Sequence, residues 1–182
     1  HATARPPGGG ACRPPEGVRA LIIEDGLSRQ ALAAARALAA AGWEVGIGSP
    51  DPGSIAASSR SARAWHRVEG PRAGMEAFAS GVEQAVAAGD YEVVFGARDD
   101  EMAALAALRE RLPARVAHPA LEVVATVLDK LELARLGGEA GFAVPRTLEP
   151  GDSLPAGSAW MVKPRVGRAL ARAVGRAESR GR

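Results

Sequence analysis

Two lysines bracket the stretch of the sequence that is best suited to bind a charged ligand. Lys130 follows Asp129, the expected N-cap of a predicted helix, and Lys163 follows the apolar residues of AWMV. A cation in the first turn opposes the helix dipole, and an ammonium beside an apolar strand is costly to bury without a partner. Both placements become favourable if an anion such as a phosphate supplies the opposite charge. The alternative is that both ammonium groups extend into solvent.

A second group of residues follows two predicted strands, at 18–23 and 91–95. Its members are Glu24, Asp25, Gly96, Arg98, Asp99 and Asp100. In an open parallel sheet the carboxyl ends of the strands meet at one edge, where such folds bind their ligands. We therefore predict a substrate-binding rim that is formed by Asp25, Arg98, Asp99 and Asp100.

The elements that must position these residues alternate between strand and helix patterns. An apolar run at 18–23, a helix with Ser28 as its N-cap and a strand at 43–47 form a first β-α-β unit. The later elements are, in order, a helix at 75–88, a strand at 91–95, a helix from Asp99 and a strand at 115–117. This order predicts an α/β fold, a Rossmann-like open parallel sheet with helices on both faces.

Three segments have no such pattern. Residues 1–17 are rich in proline and glycine and predict a disordered leader, because they cannot offset the entropy of ordering. Residues 49–72 predict an irregular, arginine-bearing loop, in which His66 has no neighbouring metal ligands. The segment 166–182 predicts a basic tail, and its arginines recur every four residues, at Arg168, Arg172, Arg176 and Arg180. We interpret this tail as a solvated end, or as a terminus created by truncation or a shifted reading frame, rather than as a binding stripe for RNA, a membrane or an acidic partner.

Composition narrows the class of protein. A net charge of +2 and 4% aromatic residues argue against a specific nucleic-acid surface. No apolar run approaches the roughly 20 residues of a membrane span. The single cysteine, Cys12, has no partner for an internal disulfide, which fits a reducing compartment. We therefore expect a cytoplasmic protein without a membrane partner, and we leave the oligomeric state open, a homodimer included.

Two other classes of α/β protein match the sequence less well. The fingerprint G-x-G-x-x-G is absent and no acidic residue ends the second strand, which argues against a nicotinamide or flavin cofactor. The acidic pair Glu24 and Asp25 is similar to that of response-regulator receiver domains, but Gly96 stands where their phosphorylated aspartate would be. A degenerate receiver, or another noncatalytic α/β binding module, is the alternative interpretation.

The stretch with the two lysines resembles the ATP-grasp superfamily, in particular its carbamoyl-phosphate-synthase-like and carboxylate-amine-ligase branches. The matching residues are, in order, Asp129, Lys130, Gly141, Pro145, Thr147, Val162, Lys163 and Pro164. The segment FGARDDEMAALAALRERLP is similar to the strand-to-helix segment of the same family. The resemblance covers residues 18–165, and the order and spacing of the motifs make it specific.

The resemblance implies a domain organisation and a reaction. Residues 18–119 would be a pre-ATP-grasp domain, and 120–165 a linker helix with the first short strands of an ATP-grasp domain. Lys130 and Lys163 would contact ATP phosphates, with Mg²⁺ as a second cofactor. The enzyme would activate a small carboxylate as an acyl phosphate for attack by an amine.

The sequence departs from that family after Arg165. It has no glycine-rich phosphate loop there and none of the acidic residues that hold magnesium in the family. We therefore expect a truncated N-terminal portion of such a ligase, inactive by itself. ATP and a small carboxylate are expected as partners of the longer protein.

Overall fold

The structure, a computed structural model, describes residues 17–149, 151–153, 161 and 163–166. Its strands are β1 (Arg19–Ile23), β2 (Glu44–Ser49), β3 (Ala62–Arg67), β4 (Val93–Gly96) and β5 (Arg115–Val116). Its helices are α1 (Arg29–Ala40), α2 (Met75–Gly89), α3 (Asp99–Ala107), α4 (Leu121–Leu128) and α5 (Lys130–Glu139). The predicted leader and basic tail lie outside the described residues, except for Gly17 and Val166.

The five strands form one parallel sheet in the order β3-β2-β1-β4-β5. In the centre, Ile22 of β1 pairs with Ile47 of β2 on one side and with Phe95 of β4 on the other. The chain builds the sheet outward from β1 to β3 and then returns to place β4 on the opposite side of β1. The gap between the ends of β1 and β4 is therefore the topological switch point, where doubly wound sheets bind ligands.

Both faces of the sheet are covered by helices, as predicted. Side chains alternate along a strand, so Leu21 and Ile23 face α2 and α3 while Ile22 faces α1. All three are at most 1% exposed. Burial on both faces explains why β1 reads as a continuous apolar run rather than an alternating one.

The prediction of an irregular loop at 49–72 was wrong, because β3 lies within it. β3 is an edge strand that pairs only with β2, and all six of its residues are exposed or half-buried, so it has no apolar pattern. His66 is not a free loop residue either. Its Nε2 lies 2.8 Å from the hydroxyl of Tyr91, and the two rings meet edge to face.

The two last helices extend the domain on the side of α3. Val124 of α4 packs with Ala103 and Ala106 of α3 in a small apolar cluster, which we call the α3–α4 cluster. Val166, which belongs to neither helix, packs against this cluster. Asp129 separates α4 from α5 and caps α5, since its Oδ1 accepts hydrogen bonds from the backbone N–H groups of Leu131 and Glu132. The cap at Asp129 was expected from the sequence.

Gly141 follows α5 in the left-handed conformation, with a φ of +83°, as expected for a glycine that ends a helix. Of the short strand that was predicted before Lys163, Trp160 and Val162 lie outside the described residues. Met161, between them, is 79% exposed. Among the described residues, no helix has the length and hydropathy that a membrane crossing needs.

Candidate functional site

A cleft with a volume of about 280 Å³ lies at the carboxyl ends of the strands, and we call it the rim cleft. It is lined by Asp25, Pro50, Gly70, Pro71, Arg72, Ala73, Arg98, Asp100 and Glu101. These residues come from the loops that follow β1, β2, β3 and β4 and from the first turn of α3. The sheet order alone brings them together, because the loops are far apart in the sequence.

The loop after β1 is held rigid by Glu24. This carboxylate is 1% exposed, and its Oε2 accepts hydrogen bonds from the backbone N–H groups of Gly26, at 2.8 Å, and Ser28, at 3.2 Å. Gly26 has a φ of +98°, a conformation that glycine adopts without steric cost and that the tight turn after β1 requires. The turn directs the neighbouring Asp25 into the rim cleft.

Two ion pairs cross the rim cleft. Arg98 donates to Oδ2 of Asp25, and Arg72 donates from Nε to Oδ2 of Asp100 at 2.5 Å. The hydrogen bond and the charge of Asp100 raise the pKa of Arg72. Three of the four predicted rim residues therefore lie together, whereas Asp99 is exposed at the start of α3 and does not line the rim cleft.

Glu101 is a further residue of the rim cleft, and the predicted rim did not include it. It is 3% exposed, and its Oε2 has no hydrogen-bond partner among the described residues. Burial raises its pKa to about 7, the charges of Asp25 and Asp100 add to the increase, and Arg98 opposes it. The sequence does contain a signal for the burial of Glu101. It lies one helical turn before Leu105, so both residues fall on the buried face of α3.

Gly96 ends β4 against the backbone of α3. A Cβ at this position would lie 2.6 Å from the backbone nitrogen of Met102 and 2.8 Å from the carbonyl carbon of Glu101. No side chain fits there, so the position cannot hold a phosphorylated aspartate. The sheet order β3-β2-β1-β4-β5 also differs from the 2-1-3-4-5 order of receiver domains. Both observations argue against the receiver interpretation.

The second candidate site lies at the start of α5. Lys130 is exposed, and its Nζ lies 3.4 Å from the carbonyl oxygen of Arg165, which also accepts the backbone N–H of Lys130 at 3.1 Å. Lys163 is exposed in an irregular segment two residues before Arg165. Within the described residues, neither lysine forms an ion pair with a carboxylate.

The contact with Arg165 thus brings the segment of Lys163 to the helix start that carries Lys130. Next to it, a shallow depression of about 430 Å³ lies between α5 and residues 144–149, with Arg135, Arg146 and Arg165 on its walls. Neither lysine lines this depression. Among the described residues, no group of three His, Cys, Asp or Glu side chains could hold a metal ion.

These observations define a Rossmann-like parallel α/β domain, followed by two helices, with Lys130 at the start of the second and the segment of Lys163 in contact with that helix start through Arg165. No protein-family model matches the sequence, and no curated protein matches it either. Comparison of the fold with solved structures does give matches.

The crystal structure of N5-carboxyaminoimidazole synthetase from Staphylococcus aureus complexed with ADP matches with a TM-score of 0.50 and 14% identity. That match covers 71% of this chain and 31% of the synthetase. A complete multifunctional pyruvate carboxylase from Rhizobium etli matches with a TM-score of 0.52 and 14% identity, over 74% of this chain and 13% of the carboxylase. The chain therefore spans less than a third of the length of either protein. At this identity the matches show the fold alone.

Proposed function

We propose that the chain is the N-terminal portion of an ATP-grasp ligase, which activates a carboxylate as an acyl phosphate for attack by an amine. The observation that carries this proposal is the meeting of Lys130 with the segment of Lys163 at the start of α5. Two exposed ammonium groups without carboxylate partners in the described residues are free to neutralise charge on an anion with several phosphate groups. The fold and the order of the sequence motifs support the nucleotide as that anion.

The lysine pair, rather than the helix terminus, would hold the phosphates. Asp129 already occupies the free N–H groups of Leu131 and Glu132, so these donors are not available to a ligand. Its negative charge also offsets the positive end of the helix dipole. Lys130 and Lys163 would instead neutralise charge on the transferred phosphoryl group, which is the main contribution of a protein to phosphoryl transfer.

The rim cleft would bind the carboxylate substrate. Arg72 and Arg98 are guanidinium groups of the kind that bind carboxylates in a bidentate manner, and both are half-exposed or more. Each is paired with an aspartate, so a substrate carboxylate would share or exchange these partners. The cleft volume of about 280 Å³ suits a small substrate.

Magnesium would screen the phosphate oxygens when bound with the nucleotide. The described residues offer no cluster of ligands for it, so we assign no step to the metal here. We expect this chain by itself to bind ATP weakly and without turnover. Contacts from one part of a site leave little binding energy after the cost of association, so the expected dissociation constant is about 1 mM or weaker.

A noncatalytic binding module is the second candidate, and the closed ion pairs of the rim cleft favour it. The two functions are separated by titrating isotope-labelled chain with ATP and following backbone amides by NMR. The ligase portion predicts saturable shifts at Lys130, Leu131 and Lys163, which disappear in a Lys130→Gln/Lys163→Gln variant. A matched control is Arg135→Gln, an exposed cation of the same helix that pairs with Glu132 and Glu139. Shifts that are absent, or that persist in the double variant, contradict the proposal.

A further inference from the structure

The segment that carries Lys163 is held by three contacts, of which two reach the start of α5 and one reaches the α3–α4 cluster. Nε of Arg165 lies 2.8 Å from Oδ2 and 3.0 Å from Oδ1 of Asp129. The carbonyl oxygen of Arg165 accepts the backbone N–H of Lys130 at 3.1 Å. Val166 packs against the α3–α4 cluster. The path of the chain is therefore fixed immediately after Lys163.

Asp129 is a firm anchor for this segment. Its side chain is only 16% exposed, and one of its oxygens also receives the two backbone N–H groups at the start of α5. Desolvation alone would raise the pKa of Asp129, but the hydrogen bonds from Arg165 and from the backbone outweigh it and lower the pKa. The carboxylate therefore stays ionised and fixed in direction, and its pairing with Arg165 determines where the segment runs.

This anchoring constrains the position of Lys163. Two residues of extended chain span at most about 7 Å, so the Cα of Lys163 lies within that distance of the Cα of Arg165. The carbonyl of Arg165 is itself in hydrogen-bond contact with Lys130. Both lysines consequently start from one small region of the surface.

We propose that the Asp129–Arg165 ion pair is a positioning device that holds Lys163 beside Lys130, so that both ammonium groups face one phosphate ligand. The identity of that ligand rests on the proposed function, whereas the positioning itself does not. We assign Arg165 a positioning role, because its Nε is engaged by both carboxylate oxygens of Asp129. It would act on nucleotide binding through Lys163.

The lysine content of the chain gives a direct test of the positioning. Lys130 and Lys163 are its only lysines, so a short amine-reactive crosslinker can form only one internal lysine–lysine product, which mass spectrometry identifies. The full chain is compared with Arg165→Gln and with Asp129→Ser. Serine keeps the helix cap but cannot form the ion pair. Arg135→Gln is again the control, because its ion pairs lie within α5.

We expect the crosslink yield to fall about three- to fivefold in Arg165→Gln and Asp129→Ser, in line with the loss of a well-oriented ion pair. Arg135→Gln should crosslink like the unchanged chain. Circular dichroism checks that the variants keep the helical content of the parent. Equal yields in folded Arg165→Gln and in the unchanged chain would overturn the proposal.

A thermodynamic cycle tests whether Arg165 acts through Lys163. Arg165→Gln should weaken ATP binding about three- to fivefold alone and should add nothing to the loss caused by Lys163→Gln. Additive losses would assign Arg165 a direct contact and overturn its positioning role. If the unchanged chain crosslinks but binds no ATP, the proposed function fails, while the crosslink yields of the variants still decide whether the ion pair positions the lysines.

Discussion

His118 accepts a hydrogen bond at its Nε2 from the backbone N–H of Gly96, at 2.7 Å. This contact joins the segment after β5 to the end of β4, directly before the residues that enter the rim cleft. Arg109 holds the same segment from the other side, because its guanidinium donates to the carbonyl oxygens of His118 and Pro119. The shape of the rim near Arg98 therefore depends on a neutral imidazole.

Acid should weaken the fold through His118. Burial, assisted by the charge of Arg109, lowers the pKa of His118 below its ordinary value of 6.5. The unfolded chain then binds more protons than the folded one, so this contribution to stability is complete above pH 6.5 and is lost as the pH falls below it. Urea unfolding of the wild type and His118→Gln between pH 5 and pH 8 measures the effect.

The substitution should reduce the pH dependence between pH 5 and pH 7. His66, whose pKa burial also lowers, contributes with the same sign in both proteins, so the difference isolates His118. If the free energy of unfolding varied with pH equally in both proteins, the hydrogen bond from Gly96 to His118 would make no contribution to the pH dependence.

Glu101→Gln should stabilise the protein at alkaline pH. Because burial raises the pKa of Glu101 to about 7, the folded state binds the proton more tightly than the unfolded state, and stability falls as the pH rises from 4.5 towards 7. At pH 8 the neutral amide should raise the free energy of unfolding by about 1–3 kcal/mol. At pH 4 the two proteins should be nearly equal.

Asp99→Asn is the matched control for Glu101→Gln, since Asp99 lies in the same first turn of α3 but is exposed. It should change stability by a few tenths of a kcal/mol in the opposite direction, through the helix dipole. A Glu101→Gln variant that is no more stable than wild type at pH 8 would show that the carboxyl finds a partner in solution.

Gly96→Ala should be destabilising by about 1–3 kcal/mol, because the new methyl group meets the backbone of α3 rather than a movable side chain. Gly70→Ala, in the loop after β3, is the control, since a Cβ there has no atom within 4 Å. The midpoints of thermal unfolding for both variants give the comparison. Equal midpoints for the two would mean that β4 and α3 can separate at little cost.

The sequence contains enough information for the order of most elements and for two helix caps. Ser28 and Asp129 cap α1 and α5 as expected, because capping depends on residues within one turn of each other. The edge strand β3 could not be recognised, since its pairing partner, β2, is what makes it a strand. A polar segment on the edge of a sheet lacks the apolar periodicity from which a strand is predicted.

The rim cleft, too, could be predicted from the sequence only in part. Its position after β1 and β4 follows from the predicted topology, and Asp25, Arg98 and Asp100 were identified on that basis. The pairing of Asp25 with Arg98 joins residues that are 73 positions apart, and Arg72 enters the cleft only because the loop after β3 reaches the same edge. Such pairs depend on the order of the strands in space, which local spacing does not contain.

The central claim, that Lys130 and Lys163 face the phosphates of one nucleotide, can be measured with an ATP analogue that carries a reactive acyl phosphate at its terminal phosphate. Such a probe acylates lysines beside that group, and this chain offers two. We predict that mass spectrometry finds the label on both lysines and that excess ATP suppresses it. Labelling that ATP does not suppress, or that is no stronger than with an acyl phosphate lacking the nucleoside, would contradict the claim.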